Sequence, residues 1–131
     1  MPESLPKPLI SVIIPTFNRA DLLAEAIQSV LDQTYAPTEI IVVDDASTED
    51  IPAAISPFAS RVTYIRRETN GGRSAALNDG AAAVSGDFIA ILDSDDVWLP
   101  HKLEAHYHVV PILDRYLQPK IRRLATPRIE G

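Results

Sequence analysis

Apolar residues along the chain fall into two kinds of pattern that alternate. "LISVIIP" (Leu9–Pro15) is an unbroken β-branched run without polar alternation, which predicts a strand buried on both faces. In "ADLLAEAIQSVLDQT" (Ala20–Thr34), Leu22, Leu23, Ala26, Ile27, Val30 and Leu31 recur at helical spacing and form one apolar face. "EIIVVDD" (Glu39–Asp45) predicts a second buried strand, and "ASTEDIPAAI" a short helix capped by Ser47 or Thr48. "RVTYIRR" (Arg61–Arg67) is less apolar, which predicts a third strand nearer a sheet edge. "NGGRSAALNDGAAAVSG" opens on Gly71-Gly72 and predicts an Ala-rich helix to about Ser85, its small side chains suited to close packing on a sheet. "DFIAILD" (Asp87–Asp93) predicts a fourth, buried strand. "LPHKLEAHYHVVPILDRYL" predicts a fourth helix with Pro100 in its first turn, kinked or ended by Pro111.

Strands that alternate with helices predict an α/β fold: a Rossmann-like, mostly parallel sheet with helices on both faces. Ligands of such sheets bind outside the carboxyl ends of the strands. Behind the first strand stand Pro15, Thr16, Phe17, Asn18 and Arg19, and behind the second Asp44 and Asp45. Asn70, Gly71, Gly72 and Arg73 follow the third, and Asp93, Asp95 and Asp96 the fourth. Polar residues therefore collect on one edge of the expected sheet.

Composition narrows the classes. The chain has 131 residues, 46% hydrophobic and 23% charged, enough for one domain or part of one. A net charge of -6 argues against nucleic acid as the main partner. The acid lies in the body, whereas Arg115, Lys120, Arg122, Arg123 and Arg128 make the end basic. We expect a flexible, Pro-rich stretch over 1–8, a ligand-binding unit over 9–110 and a basic tail over 111–131. There is no cysteine, so disulfides and thiolate metal sites are excluded. The start "MPESLPKPLI" lacks the apolar core of a signal peptide, and no apolar run approaches membrane-spanning length. The expected location is the cytoplasm.

The chemistry gathers in "GDFIAILDSDDVWLP" (Gly86–Pro100). Three carboxylates, Asp93, Asp95 and Asp96, fall within four residues at a strand end. Like charges so close repel, so a positive partner is expected. One candidate is Mg²⁺ or Mn²⁺, which takes a few carboxylate oxygens and leaves positions for water and phosphate. The alternative is a solvated acidic turn that caps the next helix. Asp44 and Asp45 can accept hydrogen bonds from a base or ribose, or serve as helix-start residues. Gly71-Gly72 can let an anion approach a helix N-terminus, or form only a turn. Arg19 and Arg73 can meet phosphate, or lie solvated. Phe17 can stack on a base. Trp98 reads as packing, and His101, His106 and His108 as surface or packing residues without zinc spacing.

"SVIIPTFNRADLLAEAIQSVLDQTY", "EIIVVDDASTED" and "NGGRSAALNDGAAAVSGDFIAILDSDDVWLPHKLE" together resemble the N-terminal, nucleotide-sugar-binding half of inverting family 2 glycosyltransferases of the GT-A fold. The resemblance runs from residue 9 to 108 with the motifs in order. It implies that Pro15, Thr16 and Phe17 line a base pocket and that Asp45 bonds the base, with Asp44 beside it. It places Asn70 and Arg73 near the nucleotide. Asp93 and Asp95 become the family's DxD, Asp95 as direct metal ligand and Asp93 towards ribose and metal, with Asp96 either behind them or capping the next helix. The implied ligands are a nucleotide-diphosphate sugar, UDP-sugar expected, with Mn²⁺ or Mg²⁺. A glycan or lipid-linked acceptor is implied for the complete enzyme, at the inner face of a membrane.

Two departures stand out. Leu77 occupies a position where the family often has arginine. The family's second half, with the acceptor site and the catalytic base, is not recognisable in this chain, so no catalytic residue is assigned and the domain is expected to be truncated. The alternative is a non-catalytic nucleotide-binding or assembly module; an incomplete domain also leaves an apolar edge uncovered, which favours a homo-oligomer. "DSDDV" also fits the opening motif of haloacid-dehalogenase-like phosphatases, and "IIVVDD" the acidic pair of receiver domains. Both lack their later lysine.

Overall fold

The computed structural model describes residues 7–109, with 106–109 described through their backbone. The expectations for the first six residues, for Pro111, for the tail over 111–131 and for the side chains of His106 and His108 lie outside the described residues. Four strands form one sheet: β1 (Ile10–Thr16), β2 (Thr38–Asp44), β3 (Val62–Arg66) and β4 (Phe88–Ile91). Their order is β3-β2-β1-β4 and every pairing is parallel. Four α-helices connect or follow them: α1 (Ala20–Leu31), α2 (Ile51–Ile55), α3 (Arg73–Ala83) and α4 (Lys102–Val109). The expected Rossmann-like parallel sheet is present.

The pleat explains why the central strands are continuously apolar. Successive side chains point to opposite faces. Val12, Ile14, Ile40 and Val42 pack with α1, α2 and Leu103 of α4, whereas Ile13, Ile41 and Val43 pack with α3. Both faces of β1 and β2 are therefore dry. α3 approaches closely because its sheet side is made of small residues, with Ala76 and Gly80 buried.

Three local expectations need correction. β4 lies at a sheet edge among the described residues, and only Ile89 of it is buried. α2 is capped by Asp50, whose side chain accepts from Ala53 N at 3.1 Å. Ser47 is unavailable as a cap because its Oγ accepts the Asn18 N–H at 2.8 Å, and Thr48 N donates to Asn18 Oδ1. Pro100 precedes α4 instead of opening it, and its carbonyl accepts Thr34 N–H at 2.9 Å. α3 ends at Ala83, close to the expected Ser85, whose N–H and hydroxyl both go to Glu39.

Candidate functional site

Strand direction and register bring the expected residues together. Thr16 ends β1 beside Asp44 at the end of β2, which in turn faces Arg66 at the end of β3. All strands point the same way, so the segments behind them share one edge. A cleft of about 560 Å³ opens there. Pro15, Thr16, Phe17 and Arg19 line it from behind β1, and Asp45 from behind β2. Asn70 and Arg73 line it from behind β3, and Asp93 and Asp95 from behind β4. Phe17 is half exposed, so its ring is available at the cleft. Thr16 is only 3% exposed, and its Oγ1 is the sole buried side-chain polar atom among the described residues without a hydrogen-bond partner. Burying a hydroxyl without a partner is costly, and such orphans call for an explanation.

The paired aspartates of β2 have different surroundings. Asp44 is fully buried and does not line the cleft. Its Oδ1 accepts from Ser47 N, and its Oδ2 from the Tyr64 hydroxyl at 2.6 Å and Arg66 Nη1 at 3.2 Å. It organises the floor, and the sequence reading that set it in contact with a nucleotide finds no path to it in this structure. Burial raises the Tyr64 hydroxyl pKa, and the Asp44 carboxylate adds to that, taking it to about 12.

Asp45 reaches the cleft but is itself held. Oδ1 accepts from Gly71 N at 2.9 Å and Arg67 Nε at 2.9 Å, and Oδ2 accepts from Gly72 N at 2.8 Å. The anion expected at the N-terminus of α3 is thus Asp45, so these two amides are not open to phosphate. Gly72 has φ 93, in the left-handed region that favours glycine. Burial pushes the Asp45 carboxyl upward, but the two glycine N–H groups and Arg67 outweigh it and leave the pKa below the ordinary 3.8.

The acidic loop has a positive neighbour, and it is protein. Arg73 Nε donates to Asp93 Oδ1 at 2.8 Å and Nη2 to Oδ2 at 3.4 Å. Ser94 is buried between two outward acids, Asp93 and the exposed Asp95. Asp96 turns away from this cleft. It lines a larger, more apolar cleft of about 980 Å³ beyond Asp93 together with Trp98 and His101. The residues that follow β1, β2 and β3 line the smaller cleft, where they meet Asp93 and Asp95. Among the described residues no three His, Cys, Asp or Glu side chains form a metal cage.

Arg67 was missed by sequence reasoning. It bridges Asp45 and Asp79, with Nη1 to Asp79 Oδ2 at 2.5 Å. In the sequence Asn18 stands out only as a member of the segment behind β1. At φ 52 it accepts the N–H groups of Thr48 and Glu49 on Oδ1, tying the loop behind β1 to that behind β2. A signal for Arg67 existed: Arg66-Arg67 and Asp44-Asp45 both end strands, and parallel neighbours set strand ends side by side.

A family model described as "Glycosyl transferase family 2" matches residues 11–111. The UDP-Glc:alpha-D-GlcNAc-diphosphoundecaprenol beta-1,3-glucosyltransferase WfgD of Escherichia coli is 40% identical over 97 residues, covering 73% of this chain and 38% of that protein. The crystal structure of S. aureus TarS 1-349 in complex with UDP-GlcNAc superposes with a TM-score of 0.74 at 26% identity, over 80% of this chain and 32% of that one. The mannosyltransferase PcManGT of Pyrobaculum calidifontis, solved with GDP-Man and Mn²⁺, gives 0.71 at 30% identity, over 82% and 33%. This chain spans about a third of the length of the curated relatives it matches. Both its motifs and its parallel sheet agree with that match, and the chain belongs to glycosyl transferase family 2.

Proposed function

We propose that residues 9–110 form the nucleotide-sugar-binding half of a glycosyltransferase and bind a nucleotide-diphosphate sugar, UDP-sugar first, with Mn²⁺ or Mg²⁺. The observation that carries this is the convergence of Pro15, Thr16, Phe17, Asp45, Asn70, Arg73, Asp93 and Asp95 on one cleft at the carboxyl edge of the sheet. The orphaned Thr16 hydroxyl supports it, since a ligand donor or acceptor there completes its bonding. Phe17 offers a flat apolar face to a base, and Asp45 an acceptor that its low pKa keeps ionised at neutral pH. Arg73 is paired with Asp93 of the acidic loop and can move from it to a phosphate.

The donor set fits a hard divalent cation. Asp93 and Asp95 supply carboxylate oxygens on one wall, and Mg²⁺ or Mn²⁺ accepts one or two carboxylates with the remaining positions taken by water and phosphate. When bound, the cation supplies neutralisation of the diphosphate leaving group. PcManGT was solved with Mn²⁺ and TarS with UDP-GlcNAc, which favours both parts of the reading. The complete enzyme would invert the sugar centre during transfer to a glycan or lipid-linked acceptor, in the cytoplasm beside the inner face of a membrane. Among the described residues no helix is long and apolar enough to cross a membrane.

Calorimetric titration of the 131-residue chain with UDP, in Mn²⁺ and in EDTA, tests the reading. UDP should bind more tightly with Mn²⁺. Asp95→Asn should remove most of that gain without altering the circular dichroism. Equal affinity in both conditions would sink the metal assignment, and no UDP binding in either would sink the nucleotide assignment.

A second reading is a module that binds without catalysis. It is favoured by the occupation of two cleft carboxylates by the protein's own donors, Asp45 by Gly71, Gly72 and Arg67 and Asp93 by Arg73, which leaves neither free to take a proton. Inverting displacement needs a base opposite the leaving group, worth about 10²–10⁴-fold. Turnover separates the two readings, because saturable transfer from UDP- or GDP-sugars marks an enzyme and binding without transfer marks a module.

A further inference from the structure

The end of α1 is tied to the segment after Asp95 by buried and part-buried hydrogen bonds from Gln33 and Ser29, which do not line the cleft. Gln33 is 9% exposed and both ends of its amide are used. Nε2 donates to Leu99 O at 2.7 Å and to Ser29 O at 3.1 Å, while Oε1 accepts Leu103 N–H at 2.9 Å. Ser29 is 6% exposed. Its Oγ accepts Trp98 N–H at 3.1 Å and donates to Ala26 O at 2.7 Å. Thr34 N donates to Pro100 O at 2.9 Å. Upstream of the acids, Leu92 N donates to Ile13 O at 3.0 Å. The acidic loop is thus suspended between two anchors, β1 on one side and the end of α1 on the other. Between them the backbone closes a single turn, Asp96 N to Asp93 O at 3.0 Å.

An amide suits this place because the segment presents both needs. The Leu99 carbonyl requires a donor. The Leu103 N–H belongs to the first turn of α4, where N–H groups lack intrahelical partners, and requires an acceptor. A carboxylate or an apolar side chain of similar size meets at most one of them.

We infer that Gln33, with Ser29, is a positioning residue for the acidic loop: by fixing the loop's far end it sets where Asp95 stands in the cleft, and so controls metal-dependent affinity without touching nucleotide. The inference rests on the nucleotide-and-metal reading above. Outer residues that orient metal ligands typically govern about 10–100-fold in metal affinity.

Trp98 is the only tryptophan in the chain and sits in the tethered segment, so its fluorescence reports the tether directly. The test uses Gln33→Met and Ser29→Ala in the 131-residue chain. In both, acrylamide should quench Trp98 more readily. The Mn²⁺-dependent gain in UDP affinity should fall by about tenfold or more. UDP affinity in EDTA and the circular dichroism should stay at the unmutated values. Full metal gain in a variant whose Trp98 has loosened overturns the inference, as does unchanged quenching in both variants. An equal fall of affinity in Mn²⁺ and EDTA assigns Gln33 to the fold alone and also overturns it. No metal gain in the unmutated chain overturns the underlying metal reading, and that arm is read before any variant is compared.

Discussion

Asp44 and Asp45 are adjacent, yet one carboxylate is sealed beneath the cleft and the other lines it. Asp45 is the more informative to change. Asparagine offers one carbonyl oxygen where the carboxylate offers two, and it turns an NH₂ towards an N–H donor of Gly71, Gly72 or Arg67. Asp45→Asn should therefore lower stability by about 1–3 kcal/mol, the scale of a buried group left unsatisfied. Urea unfolding checks this as a lower midpoint with an unchanged slope. Asp93→Asn is the control. Its pair with Arg73 is 41% exposed on the aspartate side, and exposed pairs contribute about 1 kcal/mol or less. Comparable losses for the two substitutions would contradict the placement of Asp45.

Among the elements, α3 depends most on small side chains. A methyl at Gly80 would meet Ile13 Cγ2 at 2.7 Å and both Ile13 Cδ1 and Val43 Cγ2 at 3.2 Å. Alanine gains about 1 kcal/mol in helix propensity over glycine. Overpacking a close-packed interface costs about 1–3 kcal/mol. The packing term should win, so Gly80→Ala is expected to be mildly destabilising and Gly80→Val strongly so. Thermal unfolding of the two variants checks the order. A stabilised Gly80→Ala would mean that α3 can move off the sheet freely. The Ala-rich composition made close packing legible in the sequence, but the partner residues Ile13 and Val43 were not, because they lie on strands far away in the chain.

For the whole molecule, two carboxylates at the ends of the central strand β2 contribute to acid stability. Asp45 stands just past its carboxyl end, and Glu39 near its start. Burial raises the Glu39 carboxyl, but Ser11 and Ser85 hydrogen bonds outweigh it, and its pKa lies below the ordinary 4.5. Both groups are depressed in the folded state, so near pH 4 the unfolded chain binds more protons. Their contribution is present above the unfolded pKa values and is lost as pH falls through the lower folded ones. The urea midpoint should accordingly drop below about pH 4. A Glu39→Gln, Asp45→Asn double variant should start lower and show a flatter acid limb. Tyr64 acts in the opposite direction. Its raised pKa makes its contribution complete below its ordinary value of 10.0, and that contribution fades as pH rises to about 12.

Strand and helix identity, parallel topology and the edge that carries the cleft were all legible in the sequence itself. A strand dry on both faces must read as an unbroken apolar run, a one-sided helix must repeat near 3.6, and alternating the two leaves few topologies. The candidate residues behind the strands followed from that topology. Tertiary structure alone decided what each of them touches. Arg67 meets Asp45 across 22 positions, and Gln33 meets Leu99 across 66. It also decided that the amides of Gly71 and Gly72 are taken by Asp45, that Asp44 is sealed beneath the cleft, and that Asp50 caps α2. The physical reason is range: periodicity records whether a side chain faces solvent or core, a property of its own element. A hydrogen-bond partner is chosen by strand order and register, which exist only after the distant segments have packed.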